Sequence, residues 1–410
     1  MTATDSNNQL YDVIIAGAGI VGATLANALA EKGLRIGVIE KNEPLLNWEE
    51  GSIDLRVSAI TEASQHIFQH LKVWPTMKTL GISPFHSMHV WNTEGTGEIH
   101  FDCADIGAPQ LGHIIENRVM QSALLSRLSG IDSVELKYQR YISHIHHYDD
   151  YIAVQLDDGS TQKARLLVGA DGGRSSVRQM AGIEISAYGY QQEAIVTVVE
   201  PEKAHMMTAW QHFLPAGPLA FLPLADGRCS IVWSTSPAQA QQLLQCNEKD
   251  FCLQLETAFD QRLGSIKHCE QRLSFPLRRQ HAKRYIDQRL ALIGDAAHTI
   301  HPLAGQGVNL GLLDAATLAQ VILNPPDHQD DFASQRNLRR YERWRRGDNL
   351  ITMSVMDGFK HLFGSTNNTV DWFRNCGLGL TNQLPFLKNG LIKKAMGRKS
   401  DLPNLAEPGF

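Results

Sequence analysis

A glycine-rich turn after the first apolar segment constrains the fold more than any other feature of the chain. Tyr11–Ala16 is a short apolar run typical of a strand, and Gly17–Gly22 follows it with the spacing G-x-G-x-x-G. Ala23–Lys32 is predicted to be a helix, and a second apolar strand then ends at Glu40. Strand, glycine turn, helix, strand and acid in this order predict a βαβ unit that binds a dinucleotide.

Each residue of this unit has a physical reason for its place. Gly17 permits the tight turn, Gly19 lets the backbone approach a pyrophosphate, and Gly22 lets the helix pack closely on the strand. Glu40 is placed to accept hydrogen bonds from ribose hydroxyls. A purely structural glycine turn is the alternative, and the motif by itself does not separate FAD from NAD.

Two further strand ends carry a glycine and an acid. Ala164–Ala170 reads as a strand and leads into Asp171–Arg178, with the pattern D-G-x-x-S-x-x-R. This pattern favours a polar corner that faces a cofactor, and an Asp-Gly turn with a capped helix is the alternative. Leu290–Ile293 leads into Gly294-Asp295 in the same way, and this repetition argues against chance.

The loop after Asp295 joins that strand to a helix that begins near Val308. A strand, a loop rich in backbone N–H groups and a helix N-terminus together predict an anion-binding corner. His298 and His301 lie in this loop at i,i+3 spacing and are candidate acid or base residues. A loop-stabilising role for both histidines is the alternative.

The middle and the end of the chain differ from these segments. Alternating and aromatic-rich runs predict one antiparallel sheet laid over the nucleotide unit. The run 336–346 carries six arginines and predicts a helix with a solvated face. The segment Leu378–Met396 fits an amphipathic helix that touches a membrane, a partner or the body of the chain. Several residues of the sheet either line a flat apolar pocket or pack in the core: Trp210, His212, Phe213, Phe221, Pro223 and Trp233.

Composition excludes several classes of protein. A formal charge of −5 gives no basic footprint for nucleic acid. Six scattered cysteines without a C-x-x-C pair predict reduced thiols and a cytosolic context. His66 and His70 have helical spacing without a third ligand nearby, so no metal site is expected. The apolar run Val13–Ala30 is explained by the strand and glycine turn rather than by a membrane span.

The three motifs Gly17–Gly22, Asp171–Arg178 and Gly294–Gly307 stand in an order that resembles the class A flavin aromatic hydroxylases, the p-hydroxybenzoate hydroxylase superfamily. The phrases LRVSAI, LGHIIENRV, SIVWS, LRRYER and GDAAHTIHPLAGQGVNLG look like those of its ubiquinone-biosynthesis hydroxylases. The central and C-terminal phrases look most like the group that oxygenates C5 of a 2-polyprenylphenol. The resemblance covers nearly the whole chain.

The resemblance implies a role for each matching position. Gly17, Gly19, Gly22 and Glu40 would hold the ADP half of FAD. Residues further along would bind the rest of FAD, with Asp171 also serving NADPH and the 302–309 loop lying against the flavin ring. These further residues are Arg56, Arg118, Gln121, Asp171, Asp295, Pro302, Gly305, Gln306, Gly307, Val308 and Asn309.

The implied fold is α/β. A Rossmann-like FAD-binding domain (1–80, 102–182 and 276–330) is interleaved with a mostly antiparallel β-sheet substrate domain (81–101 and 183–275). A C-terminal helical region would occupy 331–410.

The implied activity is an FAD-dependent monooxygenase that uses NAD(P)H and O2. It would hydroxylate a polyprenylated phenol in ubiquinone biosynthesis, at C5 of the ring, through a flavin C4a-hydroperoxide. Three alternatives stay open: a sister enzyme acting at C1 or C6, a hydroxylase of a small soluble aromatic acid, and a flavoprotein assembly subunit. A multi-enzyme complex, a homo-oligomer and peripheral membrane binding of a cytoplasmic protein are compatible with the sequence.

Overall fold

The computed structural model describes residues 10–49, 51–93, 97–299, 307–326, 331–364, 389–390, 396–398 and 401–409. Its strands are β1 (Tyr11–Ala16), β2 (Ile36–Glu40), β3 (Val57–Ile60), β4 (Ser83–Phe85), β5 (Ser87–Asn92), β6 (Glu98–Asp102), β7 (Gly112–Glu116), β8 (Val134–Tyr138), β9 (Ile142–His147), β10 (Ile152–Leu156), β11 (Thr161–Gly169), β12 (Ile185–Pro201), β13 (Thr208–Leu214), β14 (Gly217–Pro223), β15 (Cys229–Thr235), β16 (Ile266–Cys269), β17 (Leu273–Ala282), β18 (Ile286–Asp287), β19 (Leu290–Leu292) and β20 (His298–Thr299). Its helices are α1 (Ile20–Ala30), α2 (Glu62–His70), α3 (Trp74–Leu80), α4 (Asn117–Leu128), α5 (Ser176–Met180), α6 (Pro237–Gln245), α7 (Glu248–Ala258), α8 (Gly307–Leu323) and α9 (Gln335–Gly364).

The first sheet has a parallel centre in the order β19, β11, β1, β2, β8. Its edge strand β8 is only partly buried, whereas the other four strands are predominantly buried. Such burial is typical of parallel strands covered on both faces. Ala16 pairs with Gly169, and Gly169 pairs with Leu292, so three neighbouring strands end at the same edge. The three predicted motifs follow these three ends. Ligands of α/β sheets bind at the carboxyl edge of the strands.

The second sheet has the order β20, β17, β12, β15, β14, β13, β5, β6, with β16 on β12. Its pairs are antiparallel apart from the parallel pair of β13 and β5. Together the two sheets confirm the predicted fold class. The exact domain boundaries stay a prediction, and β20 from the first assigned domain pairs with β17 of the second sheet.

Helices α6 and α7, which were not predicted, cover one face of the second sheet. Phe221 of β14 stacks on Phe259 just after α7, with ring centroids 3.8 Å apart. Trp233 packs in the same buried cluster, and Trp210 lies at its edge. His212 stacks on Trp91 of this cluster. The pocket interpretation is therefore wrong for these residues, and the core-packing alternative holds.

The opposite face of the second sheet packs against a small three-stranded sheet formed by β3, β7 and β4. Buried Val198, Ala220 and Leu222 contribute to this apolar layer from the large sheet. Ile114 and half-buried Val57 contribute from the small one. This layer brings the second sheet over β3, which begins directly after the predicted cofactor residue Arg56.

The arginine-rich helix α9 differs from its prediction most clearly at Arg345. Arg343 is exposed as expected, but Arg345 is only 2% exposed. The solvated-face prediction is therefore wrong for Arg345, which lies against α8. The predicted amphipathic segment Leu378–Met396 falls almost wholly outside the described residues. Met396 is described and packs in the apolar layer between the second sheet and the small sheet.

Among the described residues, no helix is both long enough and apolar enough to span a bilayer.

Candidate cofactor site

The three glycines of the first turn differ in their surroundings: two are closely packed, and one borders open space. A Cβ on Gly17 would lie 2.4 Å from the Ala170 carbonyl oxygen, and one on Gly22 would lie 2.1 Å from that of Gly17. A Cβ on Gly19 would meet nothing within 4 Å. Gly19 is the N-cap of α1, and no side chain caps that helix. Free N–H groups beside open space at a helix N-terminus form a cradle for a pyrophosphate.

Glu40 and Gln121 hold the turn from both sides. Ala18 N–H donates to Glu40 Oε2 (2.7 Å), and Asn42 N–H donates to Oε1 (3.0 Å). Gln121 Nε2 donates to the Ala18 carbonyl oxygen (3.0 Å). Each Glu40 oxygen has a further lone pair for a ribose hydroxyl. The Gln121 contact positions the turn, whereas its predicted role was contact with the phosphates or ribityl chain.

The two predicted arginines differ in what they contact. The Arg118 guanidinium binds the Glu116 carboxylate (Nε to Oε2, 2.8 Å) and Ser52, and it lies over the Trp48 ring. Arg118 thus ties Trp48 and Ser52 to the start of α4. The Arg56 side chain is exposed, and its charge acts on the Asp295 carboxylate.

Only one carboxylate oxygen of Asp171 caps helix α5, as the capped-helix alternative predicts. Its Oδ2 accepts from Ser176 N–H (2.7 Å), Ser176 Oγ (3.0 Å) and Val177 N–H (3.1 Å). Its Oδ1 is buried and has no hydrogen-bond partner among the described residues. A buried carboxylate oxygen without a donor is costly unless a ligand supplies one.

Arg178 joins the second motif to the third. Its guanidinium donates to the Gly173 carbonyl oxygen (2.9 Å) and to the Ala296 carbonyl oxygen (2.8 Å). The arginine is 4% exposed. It therefore acts as a structural clamp between the loops after β11 and β19.

Asp295 is accessible to solvent but closely surrounded by protein. The resulting partial desolvation raises the pKa of its carboxyl, and the neighbouring His298 and Arg56 oppose this rise. No described residue donates a hydrogen bond to this carboxylate, whereas Thr299 contacts only its backbone oxygen. A free carboxylate at the strand edge is suited to bind hydroxyl groups.

Asn309 fixes the start of α8. Its Nδ2 donates to the Ala59 carbonyl oxygen (2.8 Å), and its Oδ1 accepts from Thr61 N–H (3.1 Å). Gly307 is the first residue of α8, and Val308 packs on the core. The predicted residues His301, Pro302, Gly305 and Gln306 lie outside the described residues.

His298 is held by an acid that the sequence analysis missed. His298 Nε2 lies 2.5 Å from Asp314 Oδ2, while Arg345 Nε donates to Asp314 Oδ1 (2.8 Å). Gly294 N–H and Asn349 Nδ2 donate to the same carboxylate at 3.1 Å. Neighbouring His298 and Arg345 outweigh desolvation and lower the pKa of Asp314 to about 2. This geometry supports the loop-stabilising alternative for His298.

Gly311 is a second residue that sequence reasoning missed. Its Cβ position would lie 2.6 Å from Val21 of α1, and that of Gly294 would lie 3.2 Å from the same side chain. Gly311 therefore lets α8 approach α1 closely, but a lone glycine in a helical run does not indicate which helix it faces. For Asp314 a signal was available, because an acid within the apolar run 308–319 requires a buried partner.

The residues present fit FAD. The open cradle at Gly19, the buried oxygen of Asp171 and the free carboxylate of Asp295 all lie at the edge where the three strands end. A long dinucleotide is the kind of ligand that contacts three neighbouring strand ends.

Comparison with known proteins decides the family. A sequence profile described as FAD binding domain matches residues 10–348. The 3-demethoxyubiquinol 3-hydroxylase of Escherichia coli (strain K12) is 38% identical over 95% of this chain and 99% of its own length. The chain belongs to the ubiquinone-biosynthesis hydroxylases of the class A flavin monooxygenase family. It is an FAD-dependent monooxygenase that uses NAD(P)H and O2.

One further relative agrees with this family, and one solved structure agrees with the fold. The ubiquinone hydroxylase UbiL of Rhodospirillum rubrum is 38% identical over 96% of this chain and 91% of its own length. The crystal structure of p-nitrophenol 4-monooxygenase PnpA from Pseudomonas putida DLL-E4 superposes with a TM-score of 0.78. It covers 95% of this chain and 99% of its own chain at 18% identity, which supports the fold alone.

Proposed function

We propose that this class A flavin monooxygenase hydroxylates the ring of a neutral, polyprenylated phenol. The observation that carries the proposal is the second-sheet face opposite α6 and α7, here called the inner face. It packs toward β3, where Arg56 and Ala59 border the cofactor site. In β12 to β15 its residues are apolar or neutral and include Val196, Val198, Ala209, Gln211, Ala220, Leu222, Ser230 and Val232.

The charge of the inner face separates two of the alternatives. None of the inner-face residues described in β5, β6 and β12 to β15 is an arginine or lysine. Arg228 lies at the start of β15, but it is paired with Asp226 and Glu270 and donates to the Gly51 carbonyl oxygen. A small aromatic acid needs a counter-ion for its carboxylate when it leaves water. A neutral ring with an apolar tail needs none.

An isoprenoid tail adds a driving force that the inner face is suited to receive. Burying each methylene contributes about 0.8 kcal/mol. Bound FAD supplies the electron transfer from NAD(P)H and the activation of O2. The chain's own residues bind the ring, keep water away from the reacting centre and place the N-terminal end of α8 toward the cofactor.

The ring position has two candidates. The sequence phrases predict oxygenation at C5 of a 2-polyprenylphenol. The relative from Escherichia coli is named for hydroxylation at position 3 of a demethoxyubiquinol, and its 38% identity over nearly its whole length favours that position as the second candidate.

Mass spectrometry of quinone intermediates distinguishes the two positions. In cells lacking the enzyme, a polyprenylphenol without the C5 oxygen accumulates under the first candidate, and 3-demethoxyubiquinol accumulates under the second. Restoring the gene removes the accumulated species. If no prenylated intermediate accumulates and the purified protein hydroxylates a soluble aromatic acid, the proposal is rejected.

Anaerobic mixing with NAD(P)H separates the enzyme from an assembly subunit. Bleaching of the bound flavin, faster in the presence of the phenol, is the expected result. We further propose that the lipid tail brings the protein to a membrane surface or into a multi-enzyme complex. Co-sedimentation with lipid vesicles that carry the long-tailed phenol tests the membrane part.

A further inference from the structure

One row of the second sheet places a single amide among apolar side chains. The strand register pairs Val196 with Val232, Val232 with Ala220, Ala220 with Gln211, and Gln211 with Val90. Residues paired directly across neighbouring strands point to the same face of a sheet. Gln211 is therefore the one polar residue of a row that runs across five strands of the inner face.

The neighbours of Gln211 along β13 establish which face it occupies. Trp210 packs at the edge of the cluster beneath α7, and His212 Nδ1 donates to the Ala258 carbonyl oxygen of that helix (2.8 Å). Alternate residues of a strand point to opposite faces, so Gln211 points to the inner face with Ala209. Ala209 packs in the layer that joins the sheet to β3.

Gln211 is only partly covered on the inner face. Gln211 and Val232 are half-buried, whereas Ala220 between them and Ala209 beside them are buried. The amide of Gln211 makes no hydrogen bond to any of the described residues. Ser230, the hydroxyl residue of the adjacent row, is fully buried, unlike Gln211.

We propose that Gln211 positions the substrate by a hydrogen bond between its amide and the ring oxygen of the phenol. This assignment rests on the proposed function and adds the residue that recognises the ring. An amide both accepts a hydrogen bond from a phenol O–H and donates one to a phenolate oxygen. It carries no charge, which suits a neutral ring in an apolar surrounding.

A single directional contact in an apolar row fixes the rotation of the ring. The aliphatic side chains of Val196, Val232 and Val90 contact any part of a ring equally well, because dispersion and burial have no direction. The amide forms its hydrogen bond with the substrate only when the ring oxygen faces it. Gln211 therefore determines which ring carbon is presented to the reacting oxygen, and it acts on regioselectivity as well as on affinity.

Binding of two matched ligands to the FAD-loaded protein tests this role. The probes are 2-farnesylphenol and farnesylbenzene in the same detergent, and the readout is the change in flavin absorbance on titration. We expect Gln211→Leu to bind 2-farnesylphenol about tenfold more weakly than the wild type, the loss of one hydrogen bond in an apolar site. We expect wild type and variant to bind farnesylbenzene equally.

Further variants keep the test independent of folding. Gln211→Asn withdraws the amide by one methylene and should also weaken phenol binding. Gln242→Leu, on the exposed side of α6 behind the opposite face, is the matched control and should change neither ligand. Two readouts come from turnover. Gln211→Leu should give product hydroxylated at more than one ring position, and it should raise the amount of NAD(P)H oxidised per molecule of product.

The outcomes separate the assignment from the proposed function. Equal weakening of both ligands by Gln211→Leu would assign a packing role and overturn the proposal, as would unchanged phenol binding and regioselectivity in both Gln211 variants. If the wild type binds neither prenylated ligand, the proposed function fails and the Gln211 assignment fails with it.

Discussion

His298 of β20 and Asp314 of α8 lie 2.5 Å apart, between Nε2 and Oδ2, and both side chains are buried. The carboxylate is ionised because its pKa is about 2, so it accepts and the imidazole donates. Arg345 of α9 donates to the other oxygen at 2.8 Å. The segment at the cofactor edge is thus held by a hydrogen bond to the Asp314 carboxylate, and this carboxylate forms a buried ion pair with Arg345.

Arg345→Met should lower the free energy of unfolding by about 3–5 kcal/mol. It removes one partner of a buried ion pair and leaves the Asp314 charge without its guanidinium neighbour. Urea unfolding measures the change. Arg343→Met on the exposed side of the same helix is the control and should change stability by less than about 0.5 kcal/mol. Equal effects of the two variants would show that Arg345 contributes no more than a surface charge.

Acid should destabilise the protein partly through His113. Burial lowers the pKa of His113 to about 4, and no described residue bonds to its Nδ1. Because the folded-state pKa lies below the ordinary value of 6.5, the unfolded state binds the proton first as pH falls. The stability that His113 contributes is complete above about pH 6.5 and is lost between about pH 6.5 and pH 4.

His113→Leu should remove this component of the acid sensitivity. The wild type should lose about 2 kcal/mol more than the variant between pH 7 and pH 5, measured by urea unfolding at each pH. His281, whose pKa burial also lowers to about 4, supplies a similar slope that the variant retains. Parallel stability curves for wild type and variant would contradict the role of His113.

Gly19→Val should abolish FAD loading while leaving the apoprotein as stable as the wild type. The Cβ enters the open space of the cradle, so the clash is with the pyrophosphate and not with the chain. Gly17→Ala is the contrasting variant. Its backbone φ is +106° and its Cβ would lie 2.4 Å from the Ala170 carbonyl oxygen, so the fold itself should lose stability. Flavin content and thermal unfolding of the apoproteins distinguish the two.

The local parts of the site were predictable from the sequence, and the tertiary parts were not. The roles of Gly17 and Gly22 follow from spacing because the turn itself requires glycine. Asp314 and Arg345 meet only because α8 packs on α9, and no local pattern encodes a pair 31 residues apart. For that reason the arginine-rich run predicted a solvent-exposed helix face that included Arg345.

Which strand residues form the inner face also depends on tertiary packing. Alternation in β13 indicates that Gln211 and Trp210 point to opposite faces, but it does not tell which face the helices cover. Helices α6 and α7 decide this, and the sequence analysis did not find them. Phe221 and Trp233 were thus candidates for a pocket until the helices assigned them to the core.

Asp295→Ala and Asp171→Ala should separate a ligand-binding acid from one that also holds the fold. Asp295 accepts no hydrogen bond from the described residues, and loss of water raises the pKa of its carboxyl, so its removal should release FAD without lowering the stability of the apoprotein. Asp171 accepts three hydrogen bonds at the start of α5 through Oδ2. Its removal should weaken FAD binding and also cost the apoprotein about 1 kcal/mol, the typical value of a helix cap.

Flavin content after gel filtration and urea unfolding of the apoproteins give the two readouts. Full FAD loading of Asp295→Ala would contradict its assignment, and an Asp171→Ala apoprotein as stable as the wild type would leave that residue a ligand contact alone.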